Sequence, residues 1–331
     1  MGALLDWILN AFLIVSALLI TLWMVGAIYY DLCDGGRWGG LLAAAWVGVV
    51  AALFAAWQPM WQPWAVVMAA CVVFLIWWFR QKPSHDRDWD PTVAVLPRAT
   101  RDGDAVTIEN VRNFDYRSLS EFTPNYEART FHLANLKGVD IIFFIWNIDW
   151  MGHPVLVFDF GPDGRVCMSI EARFRKGQAY SVLRSLYRQY EIIFLAADER
   201  DVILRRTKHS QGQKAYLYRA MASVEELRAV FLDYVDAINR LYEKPRWYNS
   251  LCTNCTTAFY QLPSTRWRLD WRVIANGRLD RALYASGRLD RTLPFAELRR
   301  LAYLNDVAND APAEDFSDHI RRELEGRRHE Q

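Results

Sequence analysis

The chain carries little net charge and few cysteines. Its 331 residues include 39 Lys and Arg and 38 Asp and Glu, a formal net charge of +1. Nucleic-acid binding proteins carry a strong basic stripe, so this balance argues against a nucleic-acid partner. Five cysteines do not form the dense framework of a small secreted scaffold. No second cysteine pair or His ladder lies near Cys252 and Cys255, so we expect neither a metal nor a cofactor. The oligomeric state stays open.

Long apolar runs dominate the first eighty residues. A helix needs about 20 apolar residues to cross a hydrocarbon core of about 30 Å. The runs at 7–30, 39–57 and 60–79 meet this length, and tryptophans crowd their ends as interfacial anchors do. The first run lacks a basic n-region and a small-residue cleavage site, so it is predicted to be an anchor and not a removable signal peptide. Residues 1–80 are therefore predicted to be a transmembrane module.

The basic residues that flank these spans give a first prediction of sidedness. Arg37 lies in the first loop, and Arg80, Lys82 and Arg87 follow the third span. By the positive-inside rule they would place the rest of the chain in the cytoplasm. The bias is small, because the segment before the first span has no Lys or Arg. Charge alone leaves the sidedness open.

Beyond a polar linker at 81–92, the pattern predicts an α+β domain at 93–263. Val139–Trp146 is a continuous apolar run typical of a buried strand. His153 opens a strand, and a Pro-Asp-Gly turn at 162–164 leads into a return strand at 165–173. Other predicted strands lie at 93–97, 105–111, 192–196, 202–206 and 215–219, and helices are predicted at 180–190 and after a capping box of Ser223 and Glu226. This order predicts an antiparallel sheet with helices packed on it.

Residues 264–331 are predicted to be an amphipathic, charged tail. The segment after Pro263 is basic and aromatic, and Gly-Arg-Leu-Asp-Arg occurs at 277–281 and again at 287–291. Two short copies do not make a solenoid. We expect this tail to lie along the bilayer through its tryptophans, and the residues from Asp310 onward to be frayed.

The strongest chemical signal is Cys255, at the predicted start of a short helix. Orphan amides at a helix N-terminus favour a thiolate, and an imidazole such as that of His153 can take the thiol proton. His153 is chosen for its position at the mouth of the hairpin. Glu171, Asp159 and Asp140 could each orient its ring, and the residues alone do not choose among them.

The residues around Cys255 suggest further roles. Its backbone amide and that of its neighbour are expected to be oxyanion donors, with Asn254 and Thr256 as the oxyanion and positioning residues. The alternative for Cys255 is a small buried hydrophobic residue, the commonest fate of a free cysteine. The charged run at 198–201 is most simply a solvated, salt-bridged turn between strands.

Several ordered blocks resemble one bacterial family. They are 110–116 (Asn-Val-Arg-Asn-Phe-Asp-Tyr), the His153 strand, 169–173 (Ser-Ile-Glu-Ala-Arg), 189–191 (Gln-Tyr-Glu), 198–201 (Asp-Glu-Arg-Asp) and 248–249 (Tyr-Asn) leading to 254–257 (Asn-Cys-Thr-Thr). From Asp88 to about Leu262 the chain resembles the extracytoplasmic domain of the Lnb-type lipoprotein N-acyltransferase family. Cys252 departs from the small polar residue expected there, and a disulfide to Cys255 would silence the nucleophile. Pro154, directly after the histidine, is a second departure.

This resemblance implies a permuted papain-like (NlpC/P60-like) thiol domain on the periplasmic side of the bacterial inner membrane, on a multi-pass anchor. It implies Cys255 as nucleophile and His153 as base, and we expect Glu171 as the orienting group. The implied activity is transfer of an acyl group from a membrane lipid, through a Cys thioester, to an amine such as the N-terminus of a lipoprotein.

Three alternatives stay open. The same thiol would serve a cysteine peptidase or amidase of the cell envelope, with water as acceptor. Cys252 and Cys255 together could form a thiol-redox pair. A non-enzymatic membrane binding protein would need neither residue.

Overall fold

The computed structural model describes residues 2–146, 151–210, 213–265 and 278–329, with side chains from Leu4 onward. The chain divides into two compact units. The membrane unit comprises Met1–Asp86, Ala179–Glu191 and Trp247–Ser250, and the soluble unit comprises Arg87–Gln178, Ile192–Arg246 and Leu251–Gln331. The unit boundaries therefore differ from the predicted division at residues 80, 92 and 263.

Three long apolar helices form most of the membrane unit: α1 (Gly2–Ala27, continued by a π-helix at Ile28–Leu32), α2 (Gly36–Ala56) and α3 (Trp61–Arg80). Each is long and apolar enough to cross a membrane, and they coincide with the three predicted spans. Most of their leucines are exposed in the unit, as expected for side chains that face lipid. Trp64 Nε1 donates to Ser16 Oγ at 2.9 Å and so joins α3 to α1.

A carboxylate at the end of the first span has several donors inside the membrane unit. Asp31 accepts hydrogen bonds from Trp78 Nε1 at 2.6 Å, from the Arg188 backbone amide at 3.0 Å and from Gln189 Nε2 at 2.9 Å. The guanidinium of Arg188 lies 3.8 Å from the centre of the Trp78 ring. These contacts join the segment at 179–191 to α1 and α3, and they compensate the cost of placing a charge beside apolar helices.

An eight-stranded sheet forms the centre of the soluble unit. Its strands are β1 (Arg98–Asp102), β2 (Ala105–Arg112), β5 (Tyr126–His132), β6 (Gly138–Ile145), β7 (Gly152–Asp159), β8 (Arg165–Arg173), β9 (Glu191–Ala197) and β10 (Lys214–Arg219), and β3 (Asp115–Tyr116) pairs with β4 (Phe122–Thr123) in a small second sheet. The order in the main sheet is β1-β2-β9-β8-β7-β6-β10, and β5 also pairs with β2. The β2–β9 pair is parallel, so the sheet is mixed and not purely antiparallel.

A short helix α4 (Val182–Ser185) belongs to the membrane unit. The helices of the soluble unit are α5 (Glu199–Thr207), α6 (Val224–Glu243), α7 (Cys255–Tyr260), α8 (Leu279–Ala285), α9 (Phe295–Leu301), α10 (Asn305–Asp310) and α11 (Phe316–His329). The predicted α+β class is confirmed. The predicted capping box before α6 is present, with Ser223 and Glu226 bonded reciprocally. The prediction of a strand at 202–206 is wrong, because these residues lie in α5. The predicted helix at 180–190 is reduced to the four residues of α4.

Alternate residues of strand β6, which lies next to the edge strand β10, pack into two different layers. Ile142 and Phe144 pack in a buried cluster with residues of α5, α10 and α11, whereas Ile141 and Phe143 line a cavity beside α7 and α8. This is the alternation that a strand imposes on its side chains. All eight residues of β6 are buried, as its continuous apolar run predicted.

The C-terminal segment is part of the core. Phe316, Ile320 and Leu324 of α11 belong to the buried cluster, so the prediction of a frayed end from Asp310 onward is wrong. These residues recur at helical spacing and present one apolar stripe to the sheet. The predicted membrane contact of the tail through Trp267 and Trp271 lies outside the described residues, as does Gly277 of the first short repeat.

Two residues of the run at 198–201, Glu199 and Asp201, are buried, and the run begins helix α5, where the sequence predicted a solvated, salt-bridged turn between strands. Asp201 pairs with Arg112, whose side chain is 0% exposed, at 2.6 Å, and it also accepts from the Phe114 amide at 2.7 Å. Glu199 pairs with Arg321 of α11 at 2.9 Å. Asp198 caps α5 by accepting from the Arg200 amide. Long-range partners therefore account for this cluster of charges.

Replacement of Asp201 by alanine tests the buried pair. The variant leaves the Arg112 guanidinium buried without its carboxylate, so we expect a loss of about 3–5 kcal/mol in the free energy of unfolding. Denaturant unfolding of the full-length protein in detergent, followed by circular dichroism, measures this loss. Glu121→Ala is the control, because it removes a pair with Arg117 whose two side chains are 54% and 66% exposed. Equal stability of the two variants would contradict the assignment.

Candidate active site

Cys255 is the first residue of α7, and Asn254 fixes that helix end. Asn254 Oδ1 accepts from the backbone amides of Thr256 at 2.9 Å and Thr257 at 2.7 Å, and Thr257 Oγ1 accepts from the Asn254 amide at 2.8 Å. This is a reciprocal capping box, which defines where a helix begins. α7 packs against β7 and β8, the strands of the central hairpin. Cys255 is 8% exposed and is therefore buried, on a helix that packs against the sheet.

A chain of hydrogen bonds runs from His153 to Arg206. His153 Nε2 lies 2.8 Å from Ser169 Oγ, which donates to Glu171 Oε1 at 2.8 Å. The same carboxylate oxygen lies 3.5 Å from His153 Nε2 and 2.6 Å from Arg206 Nη2. His153 lies on β7, Ser169 and Glu171 on β8, and Arg206 on α5. Three separate elements of the soluble unit thus contribute to one line of polar groups.

The strand register explains why these side chains meet. Leu156 of β7 pairs with Met168 of β8, and the same antiparallel register continued along both strands brings His153 level with Glu171. Ser169 and Glu171 are two residues apart, so their side chains leave the same face of β8. That face was predicted from the alternation of residues 165–173.

Burial and charge together set the ionisation of this group. Burial alone would raise the pKa of Glu171, but the Arg206 guanidinium and the His153 hydrogen bond hold that pKa well below its usual range. Burial alone would lower the pKa of His153, yet its hydrogen bonds with Cys255 and Glu171 raise it overall. The site therefore favours a carboxylate beside a protonated imidazole. An imidazolium is also the best neighbour for a cysteine thiolate.

The other candidate orienting groups lie elsewhere. Asp140 pairs with Arg219 at 3.0 Å and with Arg321 at 2.6 Å. Asp159 accepts from the Gly161 amide and lies 3.6 Å from Arg165. The structure therefore brings Glu171, of the three carboxylates considered, to the His153 ring.

Two features next to Cys255 differ from the sequence expectation. The Thr256 amide, expected to be an oxyanion donor, donates to Asn254 and so serves the helix cap. Thr256 Oγ1 instead lies 3.7 Å from Cys255 Sγ. Cys252 and Cys255 are both free thiols, the first exposed and the second buried. No disulfide therefore blocks Cys255 in this structure.

An apolar cavity adjoins the thiol. Its volume is about 40 Å³. Cys255 and Thr256 line it together with residues of β6, β7, α6, α7 and α8: Ile141, Phe143, Pro154, Leu156, Tyr234, Phe259, Tyr260, Leu279 and Leu283. Pro154, noted as a departure from the resembling family, forms part of this wall beside His153. Burial, and then the charge of Cys255, raise the pKa of Tyr234, so its hydroxyl stays protonated. The thiol thus faces a mostly hydrocarbon surface.

A membrane protein with a periplasmic α+β domain is the class that these features define, and a comparison with known families supports it. The family model described as the Lnb N-terminal periplasmic domain matches residues 122–275, a little under half of the chain. That match and the three apolar N-terminal helices fit the Lnb-type family, so the resemblance predicted from sequence is confirmed. The matched family model describes a periplasmic domain, the opposite side from the one that the basic residues favoured. No curated protein and no solved structure matches the chain.

Sequence reasoning missed two members of the polar chain, Ser169 and Arg206. Ser169 shares the polar face of β8 with Glu171, which was a usable signal, but spacing alone does not show that its hydroxyl bridges to the imidazole. Arg206 was hidden by the incorrect strand at 202–206. The described residues contain no group of three His, Cys, Asp or Glu side chains arranged for a metal ion.

The Glu171→Gln variant tests the electrostatic link between the carboxylate and His153. It removes a charged hydrogen-bond partner that raises the pKa of His153, so that pKa should fall. The wild-type imidazolium is lost as pH rises through its raised pKa, and in the variant this loss should occur at lower pH. The pH dependence of Cys255 alkylation by iodoacetamide, in a Cys252→Ser background, measures it through a shift of the alkaline limb.

Asp159→Asn provides a matched control for this shift. Asp159 lies on β7, the strand of His153, but contacts Arg165 and the Gly161 amide. The Asp159→Asn variant should therefore leave the pH profile of Cys255 alkylation unchanged. The assignment of Glu171 would be wrong if both variants gave the wild-type profile.

Proposed function

We propose that this protein is a membrane-anchored, cysteine-dependent acyltransferase that works by a ping-pong route. The observation that carries the proposal is the hydrogen bond between Cys255 and a His153 ring whose other partners are Ser169 and Glu171. A nucleophile, a base within hydrogen-bond reach and an orienting group form the constellation of covalent acyl transfer. The apolar cavity beside the thiol favours a hydrocarbon-bearing substrate over a peptide.

In the first half-reaction His153 accepts the thiol proton. Because Ser169 engages Nε2, Nδ1 is the ring atom left for this proton. The Cys255 thiolate then attacks the carbonyl carbon of a lipid ester and forms a tetrahedral intermediate. As that intermediate collapses, the ester C–O bond breaks, the alcohol leaves with the proton from His153, and an acyl thioester remains on Cys255.

In the second half-reaction an amine attacks the thioester carbonyl. His153 takes a proton from the attacking nitrogen and returns it to the departing Cys255 sulfur, so the enzyme is regenerated and an amide forms. Arg206 holds Glu171 ionised, which stabilises the imidazolium that both half-reactions produce. The acceptor proposed here is the N-terminal amine of a lipoprotein, as the resemblance noted from the sequence implies.

The membrane helices suit this chemistry. Lipid esters and the acylated N-termini of lipoproteins are concentrated at the bilayer surface, and a tether on the same chain raises their effective concentration at the thiol. We propose that the three helices cross the bacterial inner membrane, with the soluble unit on the periplasmic side. No metal or cofactor enters any step.

Intact-mass analysis of the purified protein after exposure to membrane lipids tests the nucleophile. The wild type should gain the mass of an acyl group on Cys255, and hydroxylamine should remove it because it is a thioester. Cys255→Ser should show no such increment, and Cys252→Ser should behave as the wild type. His153→Ala should slow formation of the adduct by about 10²–10⁴-fold, the usual contribution of a general base. A wild-type protein that gains no mass during turnover would refute the proposal.

The acceptor separates acyl transfer from the main alternative, hydrolysis by an envelope peptidase or amidase. The acyl-enzyme is challenged with a synthetic lipopeptide that carries a free N-terminal amine and, as control, with the same peptide acetylated at that amine. Transfer should give the amide only with the free amine. Release of free fatty acid at the same rate with both peptides would identify water as the acceptor.

A further inference from the structure

The wall of the apolar cavity beside Cys255 comes from two different parts of the soluble unit. β6 and β7 contribute Ile141, Phe143 and Leu156, whereas α8 contributes Leu279 and Leu283. The last two are four residues apart, so they lie on the same face of α8, one turn from each other. They are both 5% exposed. α8 therefore closes the side of the cavity that the sheet leaves open.

A buried polar group holds α8 in this place. Asp280, between the two leucines and 1% exposed, accepts from Tyr218 Oη of β10 at 3.4 Å and lies 3.6 Å from Arg299 of α9. It also accepts from the Arg281 amide at 2.7 Å. Because a buried carboxylate is costly without partners, these contacts fix the register of α8 against β10 and α9. The two leucines are thereby held at the cavity.

α8 follows the segment at 122–275 that matches the family model. The residues that provide the thiol and the imidazole lie inside that segment, and Leu279 and Leu283 lie outside it. The chemistry and this part of the cavity wall thus come from separate stretches of the chain.

We propose that the cavity receives the hydrocarbon chain of the acyl group carried on Cys255, and that Leu279 and Leu283 of α8 limit the length of that chain. The proposal rests on the proposed acyl transfer. Apolar groups line most of the cavity, and such a surface binds methylene groups by removing them from water. Its volume of about 40 Å³ is well below the roughly 150 Å³ of an apolar cavity that admits benzene. A longer chain therefore has to press against the residues that line the cavity, which include the two α8 leucines.

The experiment measures acylation by two generic esters that differ only in chain length, p-nitrophenyl butyrate and p-nitrophenyl laurate, with the full-length protein in detergent micelles. Each acylation of Cys255 releases one nitrophenolate, so the burst rate reports the first half-reaction alone. The ratio of laurate to butyrate rates is the readout. Leu283→Ala should raise this ratio by about tenfold or more, and Leu283→Phe should lower it, because a hydrophobic wall discriminates methylene groups on this scale.

Leu298→Ala is the matched control. Leu298 of α9 is 1% exposed and does not line the cavity, so its truncation weakens the same C-terminal region without changing the wall. The ratio should stay at the wild-type value in this variant. If Leu283→Ala does not fold, Leu283→Phe and Leu279→Met still change the wall in size or shape and keep the test decisive.

The outcomes separate the two proposals. A wild type without a burst, or with a burst that survives Cys255→Ser, overturns the acyl transfer itself. A second outcome is a burst that depends on Cys255 while the ratio of laurate to butyrate rates is the same in the wild type and in every α8 variant. That result overturns the role of α8 and leaves the acyl transfer standing. The role of α8 is also overturned if the ratio of laurate to butyrate rates changes as much in Leu298→Ala as it does in the α8 variants.

Discussion

The buried ion pair between Glu171 and Arg206 is the constraint on which the candidate site depends. Burial by itself favours the neutral carboxyl, and a neutral carboxyl would not stabilise an imidazolium. The Arg206 guanidinium, 2.6 Å from Glu171 Oε1, decides the balance in favour of the charged form. It also lies 4.9 Å from the centre of the Phe144 ring, so the apolar core of the sheet holds it in place. The ionised state of Glu171, and with it the raised pKa of His153, thus depends on a residue of α5.

Because Glu171 and His153 supply the charge of the site, the N-terminus of α7 has a different role from the one expected from sequence. The first amides of α7 were expected to favour the thiolate and an oxyanion, but Asn254 takes the hydrogen bonds of Thr256 and Thr257. α7 is also only six residues long, which limits the partial charge at its end. The cap therefore positions Cys255, while His153, supported by Glu171, provides the charge. Positioning and electrostatics come from different groups, and each can be varied without the other.

The sequence predicted the local features of the site and missed the long-range ones. Alternation along 165–173 placed Glu171 on a polar strand face, and the residues after Asn254 predicted a helix that starts at Cys255. Arg206 was not predictable from the same reasoning, since β-branched Val202 and Ile203 suggested a strand where the chain forms α5. The charges at 198–201 and in α11 were predicted to face solvent because composition counts charges but does not show their partners. Arg112 and Arg321 supply those partners from about ninety to more than a hundred residues away.

The place of α11 in the core has a consequence for biogenesis. The ten strands that the described residues form all precede this helix in the chain, so translation produces them before Phe316, Ile320 and Leu324 exist to cover the sheet. One apolar surface of the sheet must then stay uncovered until the residues of α11 have been synthesised. Such transiently uncovered surface is where aggregation competes with folding. The exposure of that surface ends only when α11 packs, so the last helix of the described chain completes the core.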